Sequence, residues 1–311
     1  LLIIFSISII DLKFLKKLVL PIFIILFIIL LLVPIIGVEV KGSKRWLNLY
    51  FFRLQPIEFV KPFFILFTAK ILTHNNTNTS NSIYFLSFLV LLAIIILLIN
   101  QPDLGQSILL IGTWISIVFI SGINLFYIFG FFAFSAITII GLLINFPDKF
   151  GYIINRLNVF FDPSKGDNFQ SQKALDAIKQ GGLKGQGMGE GILKDSVPEA
   201  HTDYIIAVIA EEFGSIISIL LVLIFLYITF RIIKIIVSET DKSLKISLCG
   251  LSTLLIFQTF IHIGVNTSLL PTTGMTLPFL SYGGSSLFGS AILAGVILNF
   301  TQNRFIDHEI E

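Results

Sequence analysis

Long apolar runs recur along the whole chain, and each is close to the length that an α-helix needs to cross a membrane. A crossing takes about 20 predominantly apolar residues. Hydrophobic residues make up 55% of the 311 and charged residues 13%, and the mean hydropathy is +0.93, which excludes an ordinary soluble domain. The sequence therefore predicts an all-α, polytopic transmembrane helix bundle of about nine spans. The candidate spans are 18–36, 57–72, 83–99, 104–121, 123–145, 203–230, 245–265 and 286–300, and residues 1–10 resemble the end of another.

The polar segments between these runs indicate a single membrane domain over residues 1–311. The longest of them, 146–202, is expected to form one long loop within that domain. Lysine and arginine, counted over short loops, predict a cytoplasmic C-terminus and hence an extracytoplasmic 146–202 loop. The chain starts inside an apolar run and lacks the basic region and cleavage site of a signal peptide, so we expect that a first helix is missing.

Basic residues are concentrated in the first outer loop. Lys44 and Arg45 precede Trp46, and Arg53 follows shortly before the next span. Two interpretations remain open at this point. Trp46 and its basic neighbours can form an interfacial anchor, or the planar, multi-donor guanidinium groups of Arg45 and Arg53 can clamp a pyrophosphate.

Two acidic residues are expected to structure the interior of the bundle. Glu58 and Lys61 are three residues apart in a helix that starts at Pro56, so they lie on one face and can pair. Asp103 follows Pro102 at the start of another span, and capping of that helix is its simplest interpretation.

The densest group of reactive side chains lies in 198–203, directly before an apolar run. A carboxylate at a bilayer surface needs a specific reason. If the helix begins early enough, Glu199 and Asp203 lie four residues apart on one face, with His201 turned away. One carboxylate can then act as a general base, or both can hold a divalent cation. Helix capping by Thr202 or Asp203 is the alternative interpretation.

Glu211 and Glu212 lie about two helical turns beyond Asp203, roughly 12 Å along the axis. An unpaired acid at that depth is energetically expensive. We therefore expect Glu211 and Glu212 to face the bundle interior or to reach its cytoplasmic half, with Lys61 or another basic residue neutralising one of the two acids.

Two loops are rich in glycine. The run 181–191 lacks the βαβ context of a nucleotide-binding fold, so it is either a loop that covers a substrate or a plain linker. The segment 266–286, which contains Ser281 and Gly283, combines prolines, glycines and hydroxyl groups between two spans. Irregular backbone at membrane depth is tolerated where it lines a cavity or is buried in protein, which favours a binding pocket there.

Taken in chain order, these motifs resemble the SEDS family, the shape, elongation, division and sporulation proteins that polymerise peptidoglycan. The stretches 198–203 and 272–279 are more similar to division members than to elongation members. The family has ten spans and usually a serine where Ile57 stands. The segments that carry the resemblance are 42–46, 54–61, 101–105, 198–203 with 211–214, and 270–286.

The resemblance implies transfer of one lipid-linked disaccharide-peptide (lipid II) to another, with release of undecaprenyl pyrophosphate. Asp203 matches the family's catalytic aspartate, and a divalent cation, Mg or Mn, is a possible cofactor that Asp203 would hold. The residues implied in substrate or pyrophosphate binding are Lys44, Arg45, Arg53, Glu58, Lys61, His201, Ser281 and Gly283, and those implied in shaping the cavity are Asp103, Glu199 and Glu211.

The implied partners are lipid II, a class B penicillin-binding protein and other membrane proteins of cell division, and no nucleic acid is expected. The implied location is the bacterial cytoplasmic membrane, with the active site facing outside. Two alternatives remain open: a flippase that moves lipid II without chemistry, which intramembrane acids also suit, and a scaffold without catalytic activity. Asp203 and the basic loop fall on one predicted face of the membrane, which favours the enzyme.

Overall fold

The computed structural model describes residues 1–40, 42–50, 52–73, 81–145, 147–162 and 169–307. Most of them are helical, with a small antiparallel sheet between the second and third helices. The helices are α1 Leu2–Ser8, α2 Leu12–Ile36, α3 Pro56–Leu72, α4 Asn81–Asn100, α5 Leu104–Ile120, α6 Leu125–Asn145, α7 Pro147–Phe161, α8 Phe169–Gly181, α9 Ile205–Ser238, α10 Lys242–Asn266 and α11 Gly284–Asp307. The strands are β1 Val38–Val40, β2 Ser43–Asn48 and β3 Arg53–Leu54.

Several of these helices have the length and apolar composition of membrane spans. Within the described residues, five of them are long and apolar enough to cross a bilayer: α2, α4, α9, α10 and the Gly284–Gln302 part of α11. Leu104–Ile120 and Phe126–Thr138 are shorter apolar helices. The predicted helical, multi-span membrane fold is therefore confirmed.

One compact unit comprises Leu1–Ser121, Phe225–Phe257 and Pro278–Glu311. Its centre is α3, which packs against α2, α5 and α11, while α1 packs along α11. Most side chains of α3 are buried, including those of Glu58 and Lys61. Pro56 occupies its first turn, where a missing N–H group carries no penalty.

The sheet in this unit was not predicted. Its order is β1-β2-β3, with Glu39 opposite Lys44 and Asn48 opposite Arg53. The strands are too short to show a clear alternation of apolar and polar residues, which is the sequence signal for a half-buried strand. Lys44 and Arg53 are both exposed, and the sheet fixes the backbone that carries them.

The second unit comprises Gly122–Ile224 and Gln258–Leu277. Much of the segment 146–202, which the sequence suggested as a loop, is helical, because it contains α7 and α8. Both helices are less apolar than the spans, so a search for membrane-spanning runs does not find them. A short 3-10 turn, Leu193–Ser196, then leads to 198–203.

Helix α9 is kinked at Gly214, whose φ of 85° lies in the left-handed region. A kink frees backbone groups that a membrane helix must satisfy elsewhere. The glycine-rich segment 182–187 supplies the partners, which neither sequence interpretation of the run 181–191 predicted. The N–H groups of Gln186 and Gly187 donate to the carbonyls of Glu211 (2.9 Å) and Glu212 (3.0 Å), and those of Ser215 and Ile216 donate to Gly182 (2.9 Å) and Leu183 (3.4 Å).

Candidate active site

Asp203 lies in a turn immediately before α9. The helix begins at Ile205, so Glu199 and Asp203 do not share a helix face, as the sequence suggested for an earlier start. Instead the backbone N–H groups of Thr202 (3.1 Å) and Asp203 (3.0 Å) both donate to the Glu199 carbonyl. The Thr202 hydroxyl also donates to the Glu199 carboxylate at 3.0 Å. Asp203 is half-buried and His201 is exposed.

Asn266, at the end of α10, holds the backbone of this turn. Its Nδ2 donates to the Asp203 carbonyl at 2.9 Å and to the His262 carbonyl at 2.8 Å. Its Oδ1 accepts from the Ala207 N–H at 3.2 Å, a first-turn group that also donates to the Tyr204 carbonyl at 3.0 Å. Asn266 is fully buried. Sequence reasoning missed it, although an asparagine where a span meets an irregular loop was an available signal.

The irregular loop that follows Asn266 is also anchored by side chains of α10. The ring nitrogen Nδ1 of His262 lies 2.7 Å from the Met275 carbonyl, and Nε2 of Gln258 donates to the Thr276 carbonyl at 2.9 Å. Both side chains are buried. Polar residues inside an otherwise apolar helix therefore satisfy the loop's backbone, which explains how irregular chain is tolerated at this depth.

In the first unit, Glu58 and Lys61 form the predicted ion pair. Lys61 Nζ lies 2.8 Å from Glu58 Oε2, and both side chains are almost completely buried. Gln106 Nε2 donates to the other carboxylate oxygen of Glu58 at 2.7 Å. This prediction is confirmed, and the network ties α3 to α5.

Arg45 supports the turn between α4 and α5. Its Nε donates to the Gln101 carbonyl at 2.9 Å and its Nη2 donates to the Pro102 carbonyl, while Asp103 Oδ2 lies 3.9 Å from Nε. Asp103 caps α5 by accepting from the Gln106 N–H at 3.4 Å, as its position predicted. Burial raises the pKa of Asp103, and Arg45 opposes that rise.

Ser285, which the sequence did not single out, joins the strand β3 to the start of α11. Its hydroxyl accepts from the Gln55 N–H at 2.9 Å and donates to the Arg53 carbonyl at 3.2 Å. Ser281 is buried, and the Gly283 carbonyl accepts from the Leu287 N–H at 2.9 Å at the first turn of α11. The binding roles suggested for Ser281 and Gly283 stay predictions.

Glu211 is completely buried and accepts a hydrogen bond from the Leu193 N–H at 2.7 Å. The sequence suggested that Lys61 or another basic residue neutralises Glu211 or Glu212. Lys61 instead pairs with Glu58, and a backbone amide holds Glu211. The other oxygen of Glu211, Oε2, has no hydrogen-bond partner among the described residues.

The described residues supply no dedicated protein cage for a metal ion. Nowhere in that part of the chain do three or more His, Cys, Asp or Glu side chains come together in a way that could hold a metal ion. Mg²⁺ is bound through oxygen ligands in a near-octahedral arrangement. Such an ion usually keeps several waters and is held by only one or two carboxylates together with substrate phosphates, so a role for Mg or Mn at Asp203 stays a prediction.

A helical multi-span fold, an acidic turn whose backbone is clamped before α9 and a buried acid–base pair on α3 define a polytopic membrane protein with polar groups set among its helices. The chain matches the FtsW/RodA/SpoVE family of cell cycle proteins over residues 1–305, and it belongs to that family. The predicted family is therefore confirmed.

Individual relatives are similar over most of their length. A probable peptidoglycan glycosyltransferase FtsW from Caulobacter vibrioides is 33% identical over 89% of this chain and 70% of its own. One from Buchnera aphidicola is 37% identical over 87% and 69%. Stage V sporulation protein E from Bacillus subtilis is 35% identical over 88% and 76%. The FtsW names agree with the predicted enzyme class.

Solved structures share the fold. A peptidoglycan synthase complex, described as coordinating polymerization and crosslinking, contains a chain with a TM-score of 0.80 and 26% identity, over 98% of this chain and 86% of that one. The rod shape determining protein RodA of Thermus thermophilus has a TM-score of 0.71 and 25% identity, over 98% and 84%.

Proposed function

We propose that this chain is a peptidoglycan glycosyltransferase that polymerises lipid II into glycan strands and releases undecaprenyl pyrophosphate. Membership of the FtsW/RodA/SpoVE family supports the reaction class. The observation that carries the assignment to a residue is the clamp of Asn266 on the Asp203 backbone, because a catalytic carboxylate must be held in a fixed position to act efficiently.

In the proposed reaction, a sugar hydroxyl of the acceptor attacks the anomeric carbon of the donor. A new glycosidic C–O bond forms, and the bond from that carbon to the pyrophosphate breaks. Asp203 accepts the proton of the attacking hydroxyl as a general base. The pyrophosphate leaves with the electron pair of the broken bond, and cationic groups stabilise its charge.

The remaining predicted residues have different parts in this proposal. Exposed Lys44 and Arg53 provide cationic groups for the pyrophosphate, with His201, Ser281 and Gly283 as further binding residues. Arg45 acts mainly by supporting the α4–α5 turn, since two of its nitrogens donate to backbone carbonyls. Glu58, Lys61 and Asp103 maintain the interior of the first unit, and Glu199 and Glu211 maintain the second.

We place this activity on the outer face of the cytoplasmic membrane, in septal wall synthesis together with a class B penicillin-binding protein. The distribution of basic residues supports the orientation. The similarity to FtsW proteins supports the division role, and the similarity to a subunit of a synthase complex that also crosslinks supports the partnership.

The decisive experiment measures lipid II polymerisation by purified protein with a transpeptidase-inactive class B penicillin-binding protein. Asp203→Asn removes the base with almost no change in size, and we expect a rate loss of about 10²- to 10⁴-fold, the usual contribution of general base catalysis. Asp176→Asn, at an exposed position of α8, is the control and should keep the wild-type rate.

Equal rates for wild type and Asp203→Asn would remove Asp203 from the mechanism. If folded wild-type protein bound its partner and still made no glycan, the glycosyltransferase proposal would fail. A flippase assay with fluorescent lipid II in vesicles would then test the transport alternative directly.

A further inference from the structure

A cavity of about 440 Å³ lies in the second unit, between α7, α8 and the loop that follows α10. That volume falls within the range of pockets that enclose small organic ligands. Its polar lining comes from Asn155, Arg156, Ser171, Gln172 and Thr272, among others, and its apolar lining includes Phe160. Neither the proposed base nor the proposed pyrophosphate-binding residues line this cavity.

Arg156 is held in a fixed orientation at the cavity wall. Its Nη1 donates to the Thr272 carbonyl at 3.1 Å, and its guanidinium lies over the Tyr152 ring, 5.9 Å from the centroid. Among the described residues lining the cavity, it is the one charged side chain. A guanidinium matches a carboxylate through charge-assisted hydrogen bonds. A pyrophosphate carries more negative charge than one cation balances.

The rest of the lining suits a ligand with amides and saturated carbon. The side-chain amides of Asn155 and Gln172 offer both donors and acceptors, as the groups of a peptide require. Val159, Phe160 and Leu175 add apolar surface beside them, against which methyl groups and the C–H faces of a sugar can pack. This lining fits a peptide-substituted aminosugar better than an uncharged glycan.

The cavity adjoins the segment that carries the proposed base. Ser171 and Arg156, which line it, both lie close enough to Tyr204 to oppose the rise that burial causes in its pKa. Tyr204 is almost completely buried and directly follows Asp203 in the chain. A ligand that contacts Ser171 or Arg156 therefore lies close to Tyr204, the residue next to Asp203.

We propose that this cavity binds the peptide portion of the substrate, with Arg156 pairing with a peptide carboxylate and the neighbouring amides binding the peptide backbone. The inference rests on the proposed function, because it names the part of that substrate which the second unit recognises. The cavity then distinguishes peptide-bearing glycan from unsubstituted glycan.

The test is calorimetric titration of the full chain in detergent with a soluble N-acetylmuramyl dipeptide that ends in a free carboxylate. Loss of one charge-assisted hydrogen bond is expected to weaken binding about 10-fold. Arg156→Gln should show that loss, whereas Arg231→Gln, at an exposed position of α9, should bind like wild type. The C-terminal amide of the same probe should bind wild type and Arg156→Gln equally weakly.

A second variant keeps Arg156 in place. Asn155→Asp adds a negative charge at an exposed position of the cavity wall. It should weaken binding of the carboxylate probe without changing binding of the corresponding amide. Wild-type affinity in both variants, or inorganic pyrophosphate binding with the same dependence on Arg156, would overturn the proposal. The polymerisation assay separates this inference from the proposed function. If the wild-type protein binds the peptide probe as expected but forms no glycan with its partner, only the proposed function is rejected.

Discussion

At the scale of single residues, the site depends on buried polar side chains that satisfy backbone groups. Asn266 joins the end of α10 to the Asp203 carbonyl and the Ala207 N–H. A buried amide that makes three hydrogen bonds leaves unsatisfied partners when it is removed. Its loss should therefore change the position of Asp203 as well as the stability of the protein.

We predict that Asn266→Ala lowers the polymerisation rate constant by about 100-fold, the cost of a displacement on the order of 1 Å at a catalytic group, with little change in KM. The control is Asn299→Ala. Asn299 is another buried asparagine, and it donates to the carbonyls of Ile7, Ser8 and Ile10. Both variants should lower the thermal stability. A similar loss of rate in both would show that Asn266 has only a structural role.

The buried pair on α3 gives a second prediction at this scale. Lys61→Met leaves Glu58 without its cation in a buried environment, and removing one partner of such a pair typically destabilises by about 3–5 kcal/mol. Restoring neutrality with Glu58→Gln in the same chain should recover much of that loss. Thermal unfolding in detergent measures both effects.

The control for this pair is Lys70→Met, which removes an exposed lysine from the same helix. It should change stability by less than about 1 kcal/mol. If the double variant were no more stable than Lys61→Met alone, the charge imbalance would not be the cause of the loss.

At the scale of elements, the kink of α9 and the glycine-rich segment 182–187 depend on each other. Gly185 has a φ of 79°, and a Cβ there would lie 2.2 Å from the Glu212 carbonyl oxygen. Gly214 lies on the α9 side of the same interface, and a Cβ there would lie 2.2 Å from the Leu183 carbonyl oxygen. Both positions therefore require glycine for the close approach as well as for the backbone conformation.

We predict that Gly185→Ala destabilises the protein more than Gly189→Ala. The two glycines have nearly the same φ, 79° and 82°, but a Cβ at Gly189 would meet nothing within 4 Å. Both variants carry the left-handed penalty of about 1–2 kcal/mol, and Gly185→Ala adds an overpacking penalty of about 1–3 kcal/mol. Thermal unfolding compares them.

Amide hydrogen exchange gives a local check on the same pair. In Gly185→Ala the N–H groups of Gln186, Gly187 and Ser215 should lose protection, because their hydrogen bonds across the kink are broken. Unchanged protection of these three amides would mean that the segment does not support α9.

At the scale of the whole molecule, hydrophobic pattern predicted the spans well and their ends less well. The predicted 57–72 is α3, Pro56–Leu72, and 83–99 lies within α4, Asn81–Asn100. The prediction ended one span at 230, because Arg231 and Lys234 interrupt the apolar run, whereas α9 continues to Ser238. Both basic side chains are exposed, and Lys234 lies over the Phe230 ring, so charge does not end this helix.

The candidate site was predictable where the contact is local. The Glu58–Lys61 pair and the Asp103 cap follow from spacing within a helix. The hydrogen bond from Asn266 to Asp203 joins residues 63 positions apart. The hydrogen bonds between the segment 182–187 and α9 join a loop to the kink of a distant helix. Contacts of this kind depend on the tertiary fold, which a single sequence does not encode as a local pattern.

A long-range ion pair allows a prediction about the pH dependence of folding. Lys16 on α2 lies 2.8 Å from Asp241 Oδ2 before α10, and Asp241 also caps α10 through the N–H groups of Ser243 and Leu244. Partial burial raises the pKa of Asp241, but the hydrogen bond and charge of Lys16 and the two backbone amides outweigh it, so the pKa is lowered.

The carboxylate therefore stabilises the folded protein above its unfolded pKa, near 3.9, and this contribution is lost as pH falls through the lower folded value. Asp241→Asn retains a good helix cap and removes the charge. We expect wild type to be more stable by less than about 1 kcal/mol at neutral pH, because the pair is partly exposed. The two melting temperatures should begin to converge near pH 3.9 and should coincide only below the lower pKa that Asp241 has in the folded protein. A difference that persisted there, or that Lys16→Met failed to reproduce at neutral pH, would show that the Lys16–Asp241 pair is not its source.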